Sequence, residues 1–122
     1  MAIARDIMGG GTSAAQAKAI NGRVASAVSA AGTTLATATA INATVNFVST
    51  VAASSGVRLH NGEIGDTIQI YNGGANTLTV YPHASTGIIN QIAAGGGQLL
   101  AQYSRCDYTR VTSTRWIANL SA

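Results

Sequence analysis

Two histidines, one cysteine and four carboxylates are the whole stock from which this chain could build a titratable or metal-binding centre. His60 and His83 each flank a turn. With one cysteine and no carboxylate cluster beside them, the three or four ligands of a metal site are not supplied. Glu63 and Asp66 are close in sequence, but Gly65 and the surrounding turn residues set them in a loop, not in the paired geometry of a glycosidase. Cys106 stands alone, which removes any intrachain disulfide, Cys-type zinc cluster or redox pair and leaves a small, partly buried apolar residue. The serines lack an activating His or Asp, so no acyl-transfer triad is legible. Gly9–Gly10–Gly11–Thr12–Ser13 precedes a helical pattern as an anion cradle would, yet it lacks the lysine and the spacing of a phosphate loop and reads as a hinge. The expectation is a protein without catalytic residues, cofactor or metal.

Composition points to binding. Charged residues make up only 9% of the chain, against roughly a quarter in an average globular domain, while hydrophobic residues reach 47% and aromatics 5%. A surface made mostly of Thr, Ser, Asn, Gly and Ala is poorly protected against association, so much of it is expected to lie against other chains. The net charge of +3 comes without a basic stripe interleaved with aromatics, which argues against a nucleic-acid partner. No apolar run reaches the length of a membrane span, and 1–8 lacks the apolar core of a secretion signal; synthesis in a reducing cytoplasm is expected.

The chain divides into two parts. Residues 1–32 read as an N-terminal arm. Beyond the triglycine, Ser13–Ala14–Ala15–Gln16 fits a capping box, and a short helix continues to Ile20 before Asn21–Gly22 ends it. Residues 23–31 are ambiguous between helix and extended chain. Residues 33–122 read as a β domain, with strands expected at 35–41, 44–51, 57–59, 67–70, 78–80, 88–92, 98–103, 106–111 and 115–119. Many short strands with frequent turns predict an antiparallel β-sandwich or barrel-like domain. No internal repeat is evident. Thr112–Ser113–Thr114 reads as a hairpin connector. Asn61–Gly62 and Asn72–Gly73–Gly74–Ala75–Asn76 read as hairpin turns in which Gly and Asn supply positive φ. Phe47 and Trp116 are expected to fill the core, and Tyr71 and Tyr81, one at each end of the second turn, to pair across strands.

The run GVRLHNGEIGD, then NGGANTLTVYP, then Gly87–Ile88–Ile89–Asn90 and a Gly-rich loop before a strand with Trp116, resembles small β-modules of tailed-bacteriophage virions. The resemblance covers about 33–122 and departs from the pattern at His60, where Pro is usual. Such modules occur as capsid decoration (cement) proteins and within tail or fibre proteins. The resemblance therefore implies a virion structural protein, assembled in the host cytoplasm, that binds the major capsid protein as a homotrimer. Arg5, Ile7 and Met8 would form the partner-binding arm. The other readings are a tail, neck or fibre component, or a glycan-binding module for host surfaces, with Arg58, Arg110, Tyr71 and Tyr81 as surface contacts.

Overall fold

The computed structural model describes residues 23–120. Ten strands follow in order: β1 Val24–Ala30, β2 Thr39–Ala40, β3 Val45–Val51, β4 Gly56–Arg58, β5 Thr67–Asn72, β6 Leu78–Tyr81, β7 Ile88–Ile89, β8 Gln98–Leu100, β9 Arg105–Arg110 and β10 Arg115–Leu120. The protein is mainly β, and among the described residues there is no helix. The expected helix at 13–20 lies outside the described residues. Residues 24–30, ambiguous in sequence, are extended and hydrogen-bonded into a sheet, so the β region begins ahead of Thr33.

One sheet has the order β1-β3-β5-β9-β10-β7 and the other β2-β4-β6-β8. The first six strands alternate between them. β1, β3 and β5 are parallel neighbours in the first sheet, and β2, β4 and β6 are parallel neighbours in the second. Each pair β1–β2, β3–β4 and β5–β6 is therefore an arch whose two strands lie in different sheets, and the three arches stack in register. Val24 pairs with Val45 and Val45 with Gln69, steps of 21 and 24 residues; Thr39, Val57 and Val80 align across steps of 18 and 23. A structural repeat is thus present where none was legible. The pairing is mixed, and the sheets form a solenoid-like stack instead of a clear antiparallel sandwich or barrel. Apart from the isolated antiparallel bridge Ala31–Gly56, antiparallel pairing enters after the third arch: β8 runs against β6, β9 against β5 and β10 against β9, with β7 beside the start of β10.

The arch at 72–76 shows what the Gly-rich segment is for. Neither Gly73 nor Gly74 has positive φ, contrary to the hairpin expectation. Their lack of a side chain matters through close approach: a Cβ on Gly73 would stand 2.6 Å from the Phe47 ring, and one on Gly74 2.6 Å from Val51 of the preceding arch. The buried Asn72 amide ties the bend together. Its Oδ1 accepts from Gly74 N–H at 3.0 Å, and its Nδ2 donates to Asn76 O and Leu100 O, both at 2.9 Å. Asn76 Nδ2 then donates to Val51 O at 2.8 Å, joining one arch to the next. Peptide groups at the half-buried bend are thus satisfied by side-chain amides, as burial of peptide groups requires.

The core lies between the sheets. Val48, Val51, Ile68, Ile70, Cys106, Tyr108 and Trp116 face inward from the first sheet and Val57, Leu78, Val80 and Leu100 from the second. Trp116 fills the core as expected, with no exposed surface. Phe47 does not. It is 41% exposed, because β3 turns Asn46 and Val48 inward and Phe47 outward. Asn46 occupies an inward position with its Nδ2 donating to Ala43 O at 2.9 Å, while its buried Oδ1 has no partner among the described residues.

Candidate functional site

The residues proposed from sequence as surface contacts separate into three environments. Arg110 is not a surface contact. β9 alternates with Cys106, Tyr108 and Arg110 inward, and Arg110 is only 7% exposed. Its guanidinium donates to Asn61 Oδ1 and Gly62 O, both at 2.6 Å, to Ser113 O at 2.5 Å and to Thr112 O at 3.3 Å. It also lies 5.8 Å from the Trp116 ring centroid, in cation–π range. A charge that stays buried must be hydrogen-bonded; here loop acceptors do that work, and the arginine pins two loops over the indole.

His83 belongs to the same cluster. Trp116 Nε1–H donates to His83 Nδ1 at 3.0 Å, and His83 Nε2 lies 3.3 Å from an Arg110 nitrogen. Burial, and secondarily the Arg110 charge, lowers its pKa. A proton added at Nδ1 would break the bond from Trp116 and set a second cation beside Arg110, so the imidazole is held neutral. This is a structural cluster: its polar atoms face the indole and two loops.

Of the other arginines on β9 and β10, Arg115 donates to Asn90 O at 2.7 Å, and Arg105 is exposed. Glu63 and Asp66 form a loop bend, with Glu63 N–H donating to Asp66 Oδ2 at 2.8 Å. Among the described residues no group of three or more His, Cys, Asp or Glu could hold a metal ion. Cys106 is buried and unpaired, and burial pushes its thiol pKa up.

Tyr71 and Tyr81 do not pair. They sit on the outer faces of different sheets. Tyr71 stacks on Phe47 with ring centroids 5.4 Å apart and planes 15° from parallel, so two rungs of the stack are joined by an aromatic ladder on the outside. Tyr81 lies beside Arg58 across β4–β6, and its hydroxyl donates to Thr33 O at 2.9 Å. Arg5, Ile7 and Met8 lie outside the described residues.

What sequence reasoning missed is the character of the first rung. β1, Val-Ala-Ser-Ala-Val-Ser-Ala, is the outermost strand of its sheet. It carries no charge and no proline, and among the described residues no strand pairs with its free edge; a register irregularity between Ala25 and Ser29 is its one interruption. Beside it the outer face exposes Val24 at 70%, together with Val45 and the Phe47–Tyr71 stack. Edge strands in soluble proteins are usually blunted by charge, proline or a covering element, and stacked-repeat proteins need a polar terminal rung to stay apart. The low charge density of the whole chain was the available signal; its concentration at one end of the stack was not legible. No protein-family model, curated protein or solved structure matches the chain.

Proposed function

We propose that this chain is a structural subunit of a tailed-bacteriophage virion that acts by assembly. In the preferred form it is a capsid decoration protein, a homotrimer that binds the major capsid protein and holds neighbouring capsid subunits together. The observation that carries the reading is the uncharged first-rung edge of β1 with the apolar outer face next to it. Backbone donors and acceptors along such an edge gain partners when another chain covers them, and Val24, Val45 and Phe47 lose water at the same time. The virion assignment itself rests on the residues of 33–122 that resemble small phage β-modules.

One feature favours a tail, neck or fibre component as the second reading. Parallel arches stacked in register can continue rung by rung into a neighbouring chain, which builds elongated structures as readily as closed rings. Quantitative mass spectrometry of purified particles separates the two. Hundreds of copies, in fixed ratio to the major capsid protein, support decoration. A few to dozens support the tail or fibre reading, and absence from the particle overturns both.

A further inference from the structure

We propose that Asn61–Gly62 is a self-modification site, at which the Asn61 amide is converted to a carboxylate that gives Arg110 a counter-ion. Arg110 is only 7% exposed, and none of its hydrogen-bond partners among the described residues is a carboxylate. The one side-chain oxygen it holds is Asn61 Oδ1, 2.6 Å from Nη1. A guanidinium can only donate, so the amide oxygen and not the nitrogen must face it. Asn61 itself is exposed, and its Nδ2 makes no hydrogen bond to any described residue.

Gly62 completes the chemistry. In an Asn-Gly pair the following peptide nitrogen can attack the side-chain carbonyl carbon, and glycine has no side chain to hinder that approach. A Cβ at Gly62 would collide with Asp66 Oδ2 and stand 2.9 Å from His60 Cε1, so a carboxylate and an imidazole lie beside this residue. Gly62 N–H donates to His60 O at 3.1 Å, a bond it gives up on attack. As Gly62 N bonds to Asn61 Cγ, its proton passes through solvent to Nδ2, the Cγ–Nδ2 bond breaks and ammonia leaves. Water then adds at Cγ of the cyclic imide. The Cγ–N bond breaks, its electron pair and a proton return to Gly62 N, and the peptide is restored beside an aspartate. Water is consumed and ammonium released, with no change of oxidation state.

Arg110 acts on the same oxygen in both steps. Negative charge develops on Oδ1 when nitrogen attacks and again when water attacks, and a donor already aimed at that oxygen stabilises both. Polarising Cγ instead of the main-chain carbonyl directs the ring to open to aspartate and not to isoaspartate. The new carboxylate then lies on a desolvated guanidinium, where a charge-assisted pair is stronger than the neutral contact it replaces. Asn72–Gly73, the other Asn-Gly pair among the described residues, has the opposite setting. Asn72 is fully buried, its amide makes three hydrogen bonds, and Gly73 N–H donates to Val48 O at 2.9 Å.

Peptide mapping of the full chain by mass spectrometry, with aspartyl and isoaspartyl forms separated by chromatography, tests the assignment. One sample is incubated folded at mildly alkaline pH, and a parallel sample in denaturing urea gives the unassisted course. In the folded chain Asn61 should convert mainly to aspartate, against the isoaspartate excess of the urea sample. Asn72, with three bonds to break, should lag by at least about tenfold. Asn61→Asp, a change at an exposed position, should melt above the unmodified chain. No conversion at Asn61, conversion of Asn72 as fast as Asn61 in the folded chain, a majority of isoaspartate at position 61, or an Asn61→Asp variant that melts no higher than the unmodified chain would overturn the proposal.

Discussion

Replacing Arg110 by Ala should be among the most destabilising changes at any polar position in this protein. The side chain is 7% exposed and donates to four acceptors on two loops, two of them at 2.6 Å. A hydrogen bond to a charged group contributes about 1.5–3 kcal/mol net, and such terms do not add. The freed carbonyls of Gly62, Thr112 and Ser113 lie near the surface and regain water, which keeps the total toward the lower end. The lost contact with the Trp116 face adds about 0.5–2 kcal/mol. A loss of about 3 kcal/mol follows, and since 1 kcal/mol moves Tm by about 4–8 °C in a domain of this size, the melting point should fall by more than about 10 °C. Arg110→Lys keeps the charge but not the planar fork, and should recover less than half of the loss. Thermal melts followed by circular dichroism at one fixed protein concentration measure both variants against Arg58→Ala, which changes an outward-facing residue and should stay close to wild type. An Arg110→Ala variant melting within about 2 °C of wild type would refute the structural role and return Arg110 to the surface.

Trp116→Ala should cost about 3–5 kcal/mol, because the indole is fully buried and no second large aromatic can fill its volume; chemical denaturation reads the loss. Phe47→Ser should cost only about 1 kcal/mol, chiefly the stack with Tyr71, and a loss of 3 kcal/mol or more would mean that the ring is a core residue after all. The His83 pKa is lowered on folding, so the unfolded chain binds more protons than the native one just below the usual value of about 6.5. Stability should therefore fall as pH drops through that value and level off once the native imidazole is also protonated. His83→Asn, which keeps an acceptor for Trp116 Nε1–H, should flatten this segment of the Tm–pH curve, and an unchanged slope would assign the effect elsewhere.

The strands were largely legible, and their connections were not. Period-two alternation marks 67–70 and 115–118 in sequence, inside the observed strands Thr67–Asn72 and Arg115–Leu120, and the Thr112–Ser113–Thr114 hairpin is where the turn chemistry puts it. Asn and Gly between two strands report a reversal of direction, but not whether the strands then lie side by side or face to face across a core. At 72–76 they lie face to face, because the Asn72 and Asn76 amides satisfy the bend internally and the glycines admit the neighbouring arch. The stacking period escaped notice because equivalent positions share a facing and not an identity: Asn46 and Ile70 are paired, as are Val45 and Gln69. The inward direction of Arg110 was readable from its spacing to Cys106 and Tyr108. It was misassigned because a charge is seldom buried without a carboxylate, and the acceptors that allow it come from loops 48 residues away and 3 residues on. Phe47 was misplaced by the opposite habit, that of sending a large aromatic inward when its own strand frame turns Asn46 and Val48 to the core.

The most direct test of assembly through the first rung is the solution mass of the full chain, measured by light scattering coupled to size exclusion. The homotrimer proposed from the resemblance, joined through the β1 edge and the adjoining outer face, predicts a species of three chains, each of 12.3 kDa, at micromolar concentration. It also predicts that Ser26→Lys, which places a charge on the exposed strand without touching the core, shifts that species to the single-chain mass while leaving the circular dichroism spectrum unchanged. A sharp single-chain peak for the unmodified protein, or a three-chain peak that Ser26→Lys leaves intact, would contradict it.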